Sequence, residues 1–159
     1  MKPIILTLLL VTLVTPAICL GEWIKVDTSV KGSTWYIDFE RIRERGGYVY
    51  YWELSDFAKP PLEDRLSFTT YNQVDCNLFR YKQLSWAAYK QPMGKGDIVD
   101  SSAEDRKRKL GQLPSLLLPI QRMIRQSLEI NWEDPQSDSV VELHLRLVCD
   151  HVKSKKDKE

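Results

Sequence analysis

The chain has 159 residues, of which 43% are hydrophobic, with 23 basic and 22 acidic side chains, seven glycines and eight prolines. This composition predicts one globular domain and excludes collagen-like, low-complexity and polyanion-coating proteins. The aromatic residues are unevenly placed, since all but one of them lie between Trp23 and Tyr89.

The first 21 residues have the pattern of a secretory signal peptide. Lys2 precedes an apolar stretch over residues 4–14, which is shorter than the run of about 20 residues that spans a bilayer. Cleavage is expected after Cys19 or after Gly21, and either position removes Cys19. A lipid anchor on Cys19 is a minority alternative, because Ile18 stands where a lipoprotein signal has Gly, Ala or Ser. Contact with a membrane is expected only in that case.

Removal of residues 1–21 changes the charge and the cysteine count of the chain. The loss of Lys2 leaves 22 basic and 22 acidic side chains, and a neutral chain gives no electrostatic reason to expect a nucleic acid as partner. Two cysteines remain, and an oxidising compartment predicts a single disulfide between Cys76 and Cys149. A catalytic thiol is disfavoured, because nothing in the sequence places a histidine base beside Cys76.

The first half of the exported chain is predicted to be β-structure. Residues 23–26 and 34–38 are short strand candidates on either side of a turn that contains Gly32. Residues 39–45 are predicted to form one or two helical turns or an irregular crossing that ends at Gly46 and Gly47.

A longer strand is predicted for residues 48–57, where side chains alternate between two faces. One face carries Tyr48, Tyr50, Trp52 and Leu54, and the other carries Val49, Tyr51, Glu53 and Ser55. Such alternation is typical of a strand that is half-buried in a sheet.

Two further strands are predicted after residue 65. Residues 66–76 repeat the alternation and direct Cys76 toward the core. In residues 78–89 the apolar side chains move from one face of the strand to the other near Gln83. This change predicts either a bulge there or a strand covered on both faces. Short connections favour antiparallel pairing, and a turn at 91–96 precedes a short strand at residues 98–99.

After Asp100 the pattern becomes helical. A helix is predicted to start near Ser101 and to carry the four cations of residues 106–109 on a solvated face. A second helix is predicted from about Pro119 to Glu129. Residues 139–149 fit both a strand alternation and a helical spacing, and residues 153–159 are predicted to be a charged, disordered tail.

Several pieces of this sequence together resemble the bacterial surface-adhesin E family along nearly all of the exported chain. The pieces are Trp35-Tyr36-Ile37-Asp38, Ile42-Arg43, Val49 to Trp52, Lys59-Pro60, Val74-Asp75-Cys76, Arg80-Tyr81, Tyr89, Pro92-Met93-Gly94-Lys95-Gly96, Trp132, Pro135, Ser137 and Val148-Cys149. The chain departs from the family pattern in two places, since residues 102–131 are longer than is typical and Ile18-Cys19 lacks a clear lipoprotein signal.

The resemblance implies a single α+β domain over residues 22–152. An antiparallel β-sheet would carry the C-terminal helix or helices packed on it, with the two cysteines joined. The resemblance also favours a helix for residues 139–149.

The resemblance further implies a non-enzymatic binding module of a Gram-negative cell envelope, in the periplasm or on the outer surface. Characterised relatives attach to host extracellular-matrix proteins, so a protein partner of that kind is expected, and a homodimer is left open. Tyr, Trp and Arg are enriched at interaction hot spots. We predict ligand-binding roles for Tyr51, Arg80 and Lys82, because they lie on the less apolar parity of their strands.

Two other functions compete with adhesion. An exported hydrolase would need an activated nucleophile, a metal or paired carboxylates, and the sequence contains neither Gly-x-Ser-x-Gly nor His-Glu-x-x-His. We therefore expect no enzymatic activity, no metal and no cofactor. The alternative function is binding of a small molecule or haem in the periplasm, with His144 or a tyrosine of residues 48–51 as the axial ligand.

Overall fold

The computed structural model describes residues 22–60, 64–111 and 131–158. These residues form one antiparallel sheet of seven strands with helices in the C-terminal part, so the expected single α+β domain is confirmed. The elements are β1 (Trp23–Thr28), β2 (Thr34–Asp38), β3 (Arg43–Arg45), β4 (Tyr48–Asp56), β5 (Ser67–Asp75), β6 (Arg80–Gln91), β7 (Lys95–Ser101), α1 (Ser102–Gly111) and α2 (Val140–Lys156). The helix predicted from Pro119 to Glu129 lies outside the described residues.

The sheet is a meander in which neighbouring strands are close in the sequence. Its order is β1-β2-β4-β5-β6-β7, and β3 pairs with β4 off this path. All of these pairs are antiparallel, as the short connections predicted. A single-turn 3-10 helix, Pro92–Gly94, connects β6 to β7.

The strand β3 corrects the prediction for residues 39–45. Its residues Arg43 and Arg45 pair with Tyr50 and Tyr48 across a two-residue loop of glycines. The two loop residues have φ angles of 60° and 81°, and hairpin loops with positive φ at both positions strongly favour glycine. The last three residues of the segment are therefore extended, and the helical prediction for them is wrong.

The bulge predicted near Gln83 is confirmed. Tyr71 pairs with Ser85, and the next residue of β5, Asn72, pairs with Gln83. Leu84 is thus the extra residue of β6, and side chains beyond it change face, as a bulge requires.

The helix α2 packs on one side of the sheet, which we call the helix face. The buried core there contains Ile37, Ile42, Val49, Tyr51, Val74, Leu145, Val148 and Val152. The predicted disulfide is present, since Cys149 of α2 is bonded to Cys76 at the end of β5. We call the opposite side of the sheet the outer face.

The start of α2 is defined by its capping residues. The Ser139 hydroxyl accepts a hydrogen bond of 3.1 Å from the backbone N–H of Glu142, and the Glu142 carboxylate accepts one of 2.7 Å from the N–H of Asp138. These bonds satisfy donors that a helix N-terminus leaves unpaired. The helix favoured for residues 139–149 is confirmed, and it continues to Lys156, so the first part of the predicted disordered tail is helical.

Neither α1 nor α2 combines the length and the apolar character needed to cross a bilayer.

Candidate functional site

Tyr51, one of the three predicted site residues, lies in the core rather than at a surface. Only 1% of it is exposed, and its hydroxyl contacts the side chains of Asn72 and Glu53. Burial, with the Glu53 carboxylate nearby, raises the pKa of the Tyr51 hydroxyl well above its usual value. The less apolar face of β4 is thus the one that α2 covers. The Tyr51 side chain is therefore not accessible to a partner at the surface.

Arg80 and Lys82, the other two predicted residues, lie together on the outer face around one tryptophan. The Arg80 guanidinium carbon is 4.7 Å from the centre of the Trp132 ring, and the Lys82 ammonium is 4.6 Å from it. Tyr48 packs against the same ring with centroids 5.3 Å apart. The structure therefore brings two predicted cations and two aromatic side chains into one cluster.

The position of Trp132 depends on a contact between its neighbour and β6. Glu133 and Tyr81 exchange two backbone hydrogen bonds of 2.8 and 2.9 Å, and the Tyr81 hydroxyl donates to the Glu133 carboxylate at 3.0 Å. Because successive side chains of an extended segment point to opposite sides, Trp132 is directed to the outer face. Burial, together with the bond to Glu133, raises the pKa of Tyr81 to about 12, so its hydroxyl remains a donor at neutral pH.

Two arginines of β3 extend the cluster across the sheet. Arg43 pairs with Tyr50, Tyr50 with Gln73, and Gln73 with Lys82, so one row of side chains crosses four strands. Arg45 pairs with Tyr48 in the adjacent row. We call the set formed by Arg43, Arg45, Tyr48, Tyr50, Arg80, Lys82 and Trp132 the basic patch.

The charges of the basic patch are poorly balanced within the described residues. Asp75 lies 3.4 Å from the Nε atom of Arg80, and its other oxygen accepts the backbone N–H groups of Asn77 and Leu78. In the described ranges no carboxylate forms an ion pair with Arg43, Arg45 or Lys82. Both arginines of β3 are exposed, so the patch presents positive charge to solvent although the chain as a whole is nearly neutral.

Stacked rings lie beside the basic patch on the outer face. Tyr71 lies between Tyr50 and Trp52, with centroid distances of 6.1 and 4.8 Å. The Arg41 guanidinium lies 5.6 Å from the Trp52 ring and 5.4 Å from the Trp23 ring, and it forms an ion pair with the buried Asp38. Each of these rings therefore has a favourable aromatic or cationic neighbour.

The candidate haem ligand His144 belongs to α2 and lies in the core. It is fully buried, and its Nδ1 atom is 3.1 Å from a Glu53 oxygen without hydrogen-bond geometry. Among the described residues, no three His, Cys, Asp or Glu side chains are grouped closely enough to hold a metal ion.

Two grooves lie beside α2. One, of about 290 Å³, is lined by residues that include Asp27 and Leu143, and the other, of about 540 Å³, borders the disulfide and includes Phe79 and Lys153. Neither of these two grooves is lined by Trp132 or Lys82.

Sequence reasoning missed the two arginines of β3 and the role of Trp132. The Gly-Gly pair after residue 45 was the signal for a hairpin, since such pairs favour two-residue turns. No local signal places Trp132, because its position depends on pairing with a strand about 50 residues earlier.

The chain was compared with known families and structures. The family model described as surface-adhesin protein E matches residues 23–150. A crystal form II structure of Haemophilus influenzae protein E is 14% identical, covers 82% of this chain and 88% of its own, and gives a TM-score of 0.51. A structure of protein E from non-typeable Haemophilus influenzae is also 14% identical. It covers 85% of this chain and 79% of its own, and gives a TM-score of 0.50. No curated protein sequence matches the chain. At this identity, the structural likeness shows a shared fold.

Proposed function

The chain belongs to the surface-adhesin protein E family, and from this premise we propose that it is an exported adhesin that attaches to host extracellular-matrix protein through the outer face of its sheet. Family membership supports a surface adhesin-like role, an exported or surface location and a non-enzymatic protein. The matrix partner and the surface that binds it are our proposal.

The observation that carries the proposal is the composition of the basic patch around Trp132. Tyr, Trp and Arg are the residues enriched at protein interfaces and at their energetic hot spots. Here one tryptophan, two tyrosines and three arginines occupy neighbouring positions on the sheet. A preorganised surface binds with a smaller loss of side-chain entropy, and the stacked rings favour the outer face for this reason.

The proposal is tested by binding of the purified, oxidised protein to a panel of immobilised extracellular-matrix proteins. We expect saturable binding to at least one of them. Equal binding by the reduced and unfolded chain would indicate nonspecific adsorption and would contradict the proposal.

The surface is tested by Trp132→Ala, with Trp35→Ala as the matched control. Both tryptophans are half-buried, but Trp35 is two residues from the buried Ile37 and therefore shares the helix face. Loss of a hot-spot tryptophan is expected to weaken binding about 30-fold, while a folded Trp35→Ala protein retains its affinity. Similar losses in both variants, with circular dichroism showing both folded, would remove the outer face from the proposal.

A further inference from the structure

The basic patch contains more positive charge than its surroundings neutralise. Its four cations have one described ion-pair partner, Asp75, which contacts Arg80 and is 6% exposed. The Glu133 carboxylate is directed to the Tyr81 hydroxyl, whose side chain has the opposite parity to Arg80 and Lys82. An exposed surface with this imbalance attracts anionic ligands and accelerates their association.

The sheet register fixes the dimensions of this charge pattern. Arg43 and Lys82 are separated by three strand spacings, which is about 14 Å at 4.8 Å a strand. Arg43 and Arg45 are two residues apart on one strand, which is about 7 Å. An extended polypeptide advances about 3.4 Å a residue and presents alternate side chains to one side, so carboxylates at every second residue would meet the patch at about 7 Å intervals.

Several aromatic rings of the outer face already have side chains packed against them. Trp132 is covered by Arg80, Lys82 and Tyr48, and Tyr71 lies between two other rings. A ligand that depends on free ring faces, such as a neutral sugar or an unstacked base, therefore finds few of them. Three of the four cations are arginines, whose planar guanidinium groups match carboxylates with two parallel hydrogen bonds.

We infer that the basic patch binds an acidic polypeptide segment in extended conformation, whose carboxylates pair with Arg43, Arg45 and Lys82. This inference rests on the proposed adhesive function and assigns a chemistry to the partner. The partner's acidic segment lies across β3, β4, β5 and β6 and packs its backbone or an apolar side chain beside Trp132.

The experiment uses a fluorescein-labelled oligoglutamate peptide and the oxidised protein, with binding followed by fluorescence anisotropy at several salt concentrations. Saturable binding that weakens as salt increases is expected, because exposed ion pairs are screened. Arg43→Gln with Arg45→Gln is expected to raise the Kd about tenfold, as the loss of two exposed ion pairs should. The matched control is Lys31→Gln with Lys107→Gln, which removes the same charge from exposed residues of the β1–β2 turn and of α1. It is expected to change the Kd less than twofold.

Three results would overturn the inference. The peptide could show no saturable binding, both double variants could weaken binding equally, or heparin fragments could bind more tightly than oligoglutamate through the same arginines. The last result would assign the patch to sulfated glycans.

Matrix-protein binding by the Arg43 and Arg45 double variant separates this inference from the proposed function. Full retention of matrix binding would overturn the acidic-segment inference and leave the adhesin proposal standing. If the wild-type protein bound the peptide but no matrix protein, the adhesin proposal would be overturned and the assignment of an acidic ligand to the patch would stand.

Discussion

Removal of the disulfide is expected to lower the stability of this protein more than most single substitutions. The perturbation is the double replacement Cys76→Ser and Cys149→Ser. The bond joins the end of β5 to α2 across 73 residues of sequence. Its loss leaves the apolar contacts between α2 and the sheet in place, so the folded structure is expected to persist in the variant.

The magnitude follows from the length of the closed loop. A cross-link over 73 residues restricts the unfolded ensemble by about 4 kcal/mol in the chain-entropy treatment. Domains of this size are typically stable by about 5–15 kcal/mol, so the variant should lose a large share of its free energy of unfolding.

The assay is urea denaturation followed by circular dichroism. With a slope of about 1–3 kcal/mol/M, a loss of 4 kcal/mol lowers the midpoint by about 1–4 M. The slope itself is expected to rise in the variant, because an unfolded chain without the cross-link exposes more surface. Wild-type protein kept in reductant should match the variant, and the variant itself should not respond to reductant.

A loss below about 1 kcal/mol would refute this reasoning. It would mean that the unfolded chain is already restricted by residual structure, or that the bond strains the folded state by nearly as much as it restricts the unfolded one.

Three further predictions concern the core, a turn and the response to pH. Leu145 is fully buried on α2, so Leu145→Ala should lower the free energy of unfolding by about 2–5 kcal/mol. Leu143 is 38% exposed on the same helix, so Leu143→Ala should change it by less than about 1 kcal/mol. Similar losses for both variants in chemical denaturation would contradict the assigned helix face. Gly94→Ala should lower the free energy of unfolding by about 1–3 kcal/mol, because φ is +65° and a Cβ would lie 3.3 Å from Thr69. The control is Gly46→Ala, where φ is +60° and a Cβ would meet nothing within 4 Å, so its loss of stability measures the cost of the backbone conformation alone. Burial, with Lys155 and Lys158 nearby, lowers the pKa of His151 in the folded protein. The contribution of neutral His151 to stability is therefore complete above the unfolded-state pKa of about 6.5, and it is lost as the pH falls through the lower folded-state pKa. His151→Phe, which keeps a ring against Phe39, should therefore flatten the stability profile below pH 6.5, and an unchanged slope would contradict this.

Much of the fold could be predicted because alternation and cysteine number are local properties of the sequence. The strands around Tyr51 and Val74, the bulge next to Gln83 and the pairing of Cys76 with Cys149 all follow from such patterns. The helix for residues 139–149 could not be separated from a strand by spacing, and the family resemblance was needed to favour it.

The choice of face could not be predicted, because both parities of β4 carry aromatic side chains. The less apolar parity became the helix face, which α2 covers and where the Tyr51 hydroxyl has the Asn72 side chain as a partner. Polar groups with such partners are tolerated in a core. The number of apolar side chains on each face of β4 therefore predicted the wrong face for the core. For this reason Tyr51 was predicted to lie at a surface, which it does not reach.

The meander also determines the order in which the molecule can assemble. Each strand pairs with one that is close to it in the sequence, so the sheet can form from local contacts with small loop-closure entropy. The contacts of α2 and its Cys149 must wait for the end of the chain. At about 5–20 residues per second, Cys76 emerges several seconds before its partner, on a side of the sheet that is still uncovered. During that interval its thiol is free to react with other molecules, so a catalyst of disulfide exchange should increase the yield of correctly oxidised protein.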